Sequence, residues 1–286
     1  MSRKNWTSEK IFTRLLNNKT QKTFWDNVGE LRKRPNNEVY NKAYKLAESE
    51  IEKEKIIGIY VLAQLGFDPR FQQDKTVDLY FKLLENEKSP KVISAILSSI
   101  SHNNENINEN QISKLIEYKN HSYSEVRFEL TLALSCLEYN NAINTLIELS
   151  NDKDSDIRNW ATFGLGRQLE TDSESIRKAL WNRINDIHFE TKSEAIVGLA
   201  SRKDEKVKDV IIQELENGDY GSLLFEAILT LNDQDFLPLL DKNLKIAKKD
   251  KEDIANGWVL ALEETIDELK KITNAQQRTE LKNKYL

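Results

Sequence analysis

The chain has 286 residues, with 42 Lys and Arg against 47 Asp and Glu for a formal net charge of −5, nine Gly, four Pro and one Cys. So few turn formers exclude an all-β fold built on tight turns, and 39% hydrophobic against 31% charged residues is too apolar for a disordered chain. The acidic balance excludes a global positive field that would recruit nucleic acid or anionic lipid; residues 1–50 carry eleven basic and six acidic residues, which leaves −10 for the remainder.

The first helix is expected over residues 5–17, where Trp6, Ile11, Phe12, Leu15 and Leu16 fall at near-helical spacing and Thr7 or Ser8 offers a cap. Residues 23–34, with Phe24, Val28 and Leu31 on one stripe, and residues 38–48, with Val39, Ala43, Leu46 and Ala47, are expected to pair as the first hairpin. The basic run Arg32, Lys33 and Arg34 reads as a solvated helix end before Pro35.

A shared frame then emerges. Segments starting at Glu54, Val92, Val126, Ile157, Thr191 and Leu223 have a small or apolar fifth position (Gly58, Ile96, Leu130, Ala161, Ala195, Ala227). Their ninth position is aliphatic (Leu62, Ile100, Leu134, Leu165, Leu199, Leu231) and their tenth is mostly small. Successive starts lie 38, 34, 31, 34 and 32 residues apart, a period that marks a helical repeat array. Amphipathic partner segments alternate with them, among them Tyr80, Phe81 and Leu84; Ile112 and Leu115; Ile143 and Leu146; Ile176 and Leu180; Val207 and Ile211; and Leu239 and Leu240. Ser89, Ser124, residues 154–156, residues 171–174 and Asp233 precede helices where a side-chain oxygen can accept from the first free amides.

After residue 249 the pattern becomes one longer helix over 250–274, with Ile254, Trp258, Ala261, Leu262, Ile266 and Leu269 on one face, followed by a fraying polar tail. The expected organisation is one α-solenoid over 1–286: an N-terminal cap at 1–19, repeats over 20–248, and a capping helix and tail over 249–286. Cys136, which cannot form an internal disulfide, reads as a small buried hydrophobe after Leu134. No apolar run reaches the ~18 residues of a membrane span, and residues 1–17 lack the pattern of a secretion signal. A cytoplasmic protein with no membrane partner is the expectation.

The frame, with Asp156-Ile-Arg-Asn-Trp-Ala-Thr-Phe-Gly-Leu-Gly166, Arg177-Lys-Ala-Leu180, Glu194 to Asp204 and Val61-Leu-Ala-Gln-Leu-Gly66, resembles the HEAT repeat family of armadillo-type solenoids, and in particular bacterial HEAT-repeat proteins of uncharacterised function. That resemblance implies an all-α fold, a right-handed α-α superhelix of about six to seven helical hairpins. It is specific for fold and not for activity. Glu54, Thr191 and Leu223 depart from the usual leading Val or Ile, and Leu223 lacks the following Arg.

Little reaction chemistry is legible. Asp152, Asp154 and Asp156 open like a calcium loop, but Ile157 and Phe163 stand where Gly and a carboxylate are required, so these acids are assigned to helix capping. His102, His121 and His188 are scattered, and no HExxH, CxxC, phosphate loop or nucleophile elbow appears, so no catalytic residue, metal or cofactor is expected. The residues that the frame does not require are Arg158, Trp160, Thr162, Arg177, Trp181, Arg183, Glu194 and Arg202. Arg177 and Trp181, four apart, can stack. Together these eight are the expected partner-binding groove for a protein or acidic peptide, since Arg and Trp supply bidentate donors and large rigid contacts, and second helices of such hairpins line the concave face. The same arginines can instead pair with Asp186, Glu190 and Asp204. The leading functional expectation is a non-catalytic binding scaffold or adaptor. Its alternative is a HEAT-like enzyme or nucleic-acid-binding protein of the alkylpurine DNA glycosylase type, which the acidity beyond residue 50 opposes; a HEAT-like cofactor lyase ranks last.

Overall fold

A computed structural model of the chain describes residues 3–218, 220–249 and 256–284, and among them every regular element is helical. They fall into two compact units, Met1–Leu149 and Ser150–Leu286.

The first unit contains α1 (Ser8–Leu16), α2 (Gln21–Arg32), α3 (Asn37–Ala47), α4 (Glu52–Ala63), α5 (Gln73–Leu84), α6 (Pro90–Ser101), α7 (Glu109–Ile116), α8 (Ser124–Leu134) and α9 (Asn140–Leu149). The frame segments at Glu54, Val92 and Val126 are α4, α6 and α8, which pack in series, each on the next, while α5 lies on α4 and α6, and α9 on α7 and α8. Periodicity explains the stacking. The fifth and ninth frame positions lie about 40° apart on a helix with 3.6 residues per turn, and Ile96, Leu130, Leu62, Ile100 and Leu134 are all shut away from solvent.

The first hairpin differs from its expectation. α2 packs on α1 and α4, while α3 packs most closely on α4, because Gly58 on α4 lies directly against the backbone of Ala43 and Ala47 on α3. The basic run is not a solvated end either. Arg32 donates from Nε and Nη2 to the Tyr60 carbonyl at 3.0 and 2.7 Å and from Nη1 to Gln64 Oε1 at 2.6 Å, and burial lowers its pKa to about 10. Arg34 donates to the Trp6 carbonyl at 2.7 Å and to Glu30 at 2.9 Å. Of the three, Lys33 alone is exposed.

The second unit contains α10 (Ser155–Phe163), which continues into a five-residue π-helix (Gly164–Gln168), then α11 (Glu174–Trp181), α12 (Phe189–Ser201), α13 (Val207–Asn217), α14 (Leu223–Leu231), α15 (Leu237–Lys249) and α16 (Asn256–Lys284). The frame helices α10, α12 and α14 again pack in series, and α16 closes on α14 and α15. α10 and α12 meet through Gly166 and Gly198: a Cβ at Gly198 would lie 2.6 Å from Gly166 Cα. In α16, Leu262, Ile266 and Leu269 are buried. The helix runs on to Lys284, past the point where a frayed tail was expected, and Ile254 lies outside the described residues.

Capping follows the sequence at most joints. Ser89, Asp154, Ser173 and Asp233 each accept from a backbone amide at a helix start. Ser124 does not cap. It is the first residue of α8, and Tyr123 takes the cap position without a side-chain bond. Cys136 is likewise corrected: it follows α8 in the left-handed region, φ +68°, and is exposed, because the chain must turn sharply there so that Leu137 can be buried.

Candidate binding surfaces

The residues singled out in the sequence lie on α10, α11 and α12 or just beyond them, and the structure spends most of their polar groups internally. Arg158 grips Asp186 with two bonds, Nε to Oδ2 at 2.8 Å and Nη2 to Oδ1 at 2.9 Å, and Arg183 reaches the same carboxylate at 3.1 Å. The Asp186 side chain is 4% exposed, and the Arg158 bonds hold its carboxyl below the usual range. Thr162 is fully buried and donates to the Arg158 carbonyl at 2.7 Å.

Arg177 and Trp181 meet through a shared acceptor rather than ring to guanidinium. Asp204 Oδ2 takes Trp181 Nε1 at 3.0 Å and Arg177 Nη1 at 3.4 Å, while Asp172 binds Arg177 through two further bonds of 2.8 and 2.6 Å. Arg202 is nearly enclosed, 6% exposed, and its Nη1 and Nη2 donate to the carbonyls of Gly166, Gly198, Leu165, Leu169 and Thr171. Those carbonyls include the end of the π-helix, where the helical ladder leaves acceptors unserved. A groove for an acidic peptide built on these arginines would have to take them from their present acceptors. Trp160 differs: it is 39% exposed and sits edge-on to Phe163 at 5.5 Å.

Glu194 leads to a residue that the sequence reading missed. Its carboxylate is buried and meets Arg167 Nη1 at 3.4 Å; burial pushes its pKa up against the attraction of Arg167. Arg167 is also held by both oxygens of Glu226, at 2.8 and 2.9 Å, and lies over the Phe163 ring at 5.5 Å. Phe163, Arg167, Arg202 and Glu226 line an open, mainly polar cleft of about 590 Å³.

A second cleft in the first unit was not anticipated at all. Its volume is about 440 Å³, and Ile56 and Tyr60 on α4, Pro90 and Ser94 on α6, and Tyr123 and Glu125 at the start of α8 are among its walls. Tyr60 belongs to an aromatic group with Phe24 and Trp25, the Trp25 ring 4.8 Å away and 41% exposed, and Tyr123 is 59% exposed. Glu52 on the rim accepts from Ser89 Oγ at 2.7 Å and lies 3.5 Å from Lys91. Glu129, one helical turn beyond Glu125, has one oxygen, Oε2, buried without a hydrogen-bond partner. Burial, opposed by a hydrogen bond from Ser98 and helped by the Glu125 charge, raises its pKa to about 7. Burial with the charges of Glu129 and Glu125 raises Tyr60 to about 12.

The Glu129 shift makes a stability prediction. A carboxyl raised from 4.5 to about 7 on folding holds a proton that the unfolded chain has already lost, so stability declines as pH rises through that window and stays lower above it. After allowance for partial exposure, the loss is on the order of 2 kcal/mol. Urea unfolding at pH 5 and pH 8 should show wild type losing stability and Glu129→Gln losing less. An identical pH dependence for the two proteins would contradict it.

The fourth frame position was the available signal. In the last four segments it carries Glu129, Trp160, Glu194 and Glu226, polar or amphipathic residues on the flank of the buried stripe, whereas the first two have the buried Ile57 and Ala95 there. Of these, Trp160 and Glu194 are among the expected binding residues, whereas Glu129 and Glu226 are not.

No family model matches the chain. Protein YibA of Escherichia coli strain K12 is 28% identical over 194 residues, which cover 66% of this chain and 68% of YibA, and the YibA of Escherichia coli O157:H7 matches to the same extent. The X-ray structure of Escherichia coli YibA superimposes with a TM-score of 0.69 at 25% identity, covering 93% of each chain. A designed armadillo repeat protein matches 68% of this chain and 98% of its own at 16% identity, with a TM-score of 0.46. The stacked frame helices and the likeness to YibA together make this an all-α helical repeat protein with a HEAT/armadillo-type solenoid fold.

Proposed function

We propose that the chain is a non-catalytic protein-binding scaffold that engages a partner polypeptide through the outward sides of its first helices. The observation that carries this reading is the cleft on α4, α6 and α8, where exposed aromatic rings and unspent polar atoms stand beside one another on a rigid stack. Aromatic side chains offer large contact area at low entropic cost, and a packed helical frame holds them in place. A DNA-processing role is not favoured: the chain beyond residue 50 carries −10, and Arg158, Arg177, Arg183 and Arg202 donate to internal acceptors, whereas phosphate contact dominates nucleic-acid affinity.

The test is cross-linking affinity capture with the wild-type chain and with a Trp25→Ala, Tyr123→Ala double variant. Neither side chain is in the buried core, and an unchanged circular-dichroism melt of the variant is required for the comparison. We expect a protein retained by wild type and lost with the variant. Equal capture by both, or no protein enriched by wild type, overturns the reading.

A further inference from the structure

We infer that the cleft on α4, α6 and α8 receives a positively charged side chain, arginine or lysine, from a partner polypeptide; this names the partner chemistry of the scaffold reading and rests on it. Four observations converge on a cation. The first is shape: at about 440 Å³ the cleft suits an extended side chain, and Ile56, Pro90 and the rings of Tyr60 and Tyr123 form apolar walls of the kind that receive an alkyl stem. Aromatic faces beside the stem attract a cationic head through the ring quadrupole.

The second is charge. Glu52 and Glu125 lie on the rim and Glu129 beyond Tyr60, close enough that the charges of Glu125 and Glu129 act on the Tyr60 hydroxyl. The one base among the lining residues, Lys91, has its side chain 78% exposed and turns toward Glu52. Glu125 is exposed and has no ion pair among the described residues, so its charge is available to an incoming group. An anionic ligand would meet these carboxylates unfavourably.

The third observation is an unspent hydroxyl. Ser94 lines the cleft, is 6% exposed, and its buried Oγ has no hydrogen-bond partner. Buried polar atoms are rarely left so, and an N–H donor entering between α4 and α8 would satisfy it. The fourth is the buried, unpartnered Oε2 of Glu129 on the neighbouring helix. A guanidinium or ammonium group carries several donors, and a bond from a charged donor to a carboxylate is about twice as strong as a neutral one. A neutral amide could serve the hydroxyl but would leave the carboxylates uncompensated.

The experiment uses phage-displayed random peptides panned on the immobilised full chain at pH 8, where Glu129 is mostly ionised, with the enriched peptides synthesised and titrated by fluorescence anisotropy at the same pH. We expect enriched peptides to share an Arg or Lys whose replacement by norleucine weakens binding by about 10-fold, and Glu125→Lys and Glu129→Gln each to weaken binding by about 10-fold. Glu125 is exposed, so its reversal tests the charge without disturbing the core. Peptides that need no cationic residue, or that bind wild type and Glu125→Lys equally, overturn the inference while leaving the scaffold reading to the capture experiment. Absence of any enriched peptide also overturns it, and capture of a protein dependent on Trp25 and Tyr123 would then show that the scaffold reading survives.

Discussion

Arg202→Ala should lower the unfolding free energy of the chain by about 4 kcal/mol, measured by urea unfolding of the full-length protein. The size follows from what the guanidinium serves. Its two terminal nitrogens donate to five backbone carbonyls, of Leu165, Gly166, Leu169, Thr171 and Gly198, in a site where the side chain is 6% exposed. A hydrogen bond to a charged group contributes roughly 1.5–3 kcal/mol, and a buried acceptor stripped of its donor adds a desolvation cost of about 1–3 kcal/mol. The individual values do not add in full, because relaxation or water entry recovers part of them. Arg202→Lys separates charge from geometry: an ammonium keeps the charge but lacks the planar fork, so less than half of the loss should be restored. A loss below about 1 kcal/mol for Arg202→Ala, or full rescue by lysine, would show that the carbonyl cage is not what Arg202 holds together.

Gly58→Ala should cost about 3 kcal/mol net in the same assay. Helix propensity alone favours alanine by about 1 kcal/mol at an interior position. Here the added methyl would fall inside contact distance of the Ala47 amide nitrogen and the Ala43 carbonyl, both backbone atoms of α3 that cannot rotate aside. Helix α3 must therefore move off α4, and packed cores resist such shifts. Gly29 supplies the control. It lies within α2 with nothing within 4 Å of a built Cβ, so Gly29→Ala should gain up to about 1 kcal/mol. Equal effects at the two sites would mean that backbone approach does not govern the α3–α4 contact.

These two cases show where sequence reading stops. The frame made Gly58 and Gly166 visible as small residues, and the fifth positions of all six segments and the ninth positions of all but the last are buried, Leu165 on the π-helix that continues α10 and Leu231 only half-buried at the end of α14. That much is local: a period of 3.6 with an aliphatic stripe states which side of a helix is buried. Which helix a small residue touches is not local. Gly58 meets α3, its immediate predecessor in the chain, whereas Gly166 meets Gly198 on α12, the next frame helix. The fate of Arg32 and Arg34 shows the same limit, since a basic run beside a proline looks solvated until the carbonyls of Tyr60 and Trp6 are brought to it.

Charge pairing was the least legible layer. Arg158, Arg177 and Arg183 stood out because the repeat does not require them, and residue types rightly marked them as strong donors. Of their acceptors, Asp186 and Asp204 were pairings the sequence offered as the alternative, Asp172 was not, and Glu190 meets His188 instead; only the folded chain shows which donors are committed. The cleft beside Tyr60 had the opposite history. Ser94, Glu125 and Glu129 look like ordinary helix-surface residues in the sequence, and they become a site because α4, α6 and α8 stack side by side.

By itself, then, the sequence determined the helical class, the six-fold frame, most of the caps and the buried stripe, all of which depend on residues within a turn or two of one another. The tertiary structure alone decided the partners: which glycines meet backbone, which arginines are spent on carbonyls and carboxylates, and which polar atoms are left over. The physical reason is that hydrogen-bond satisfaction and steric approach depend on distances between helices some thirty residues apart in the chain, whereas helix formation and amphipathicity depend on neighbours.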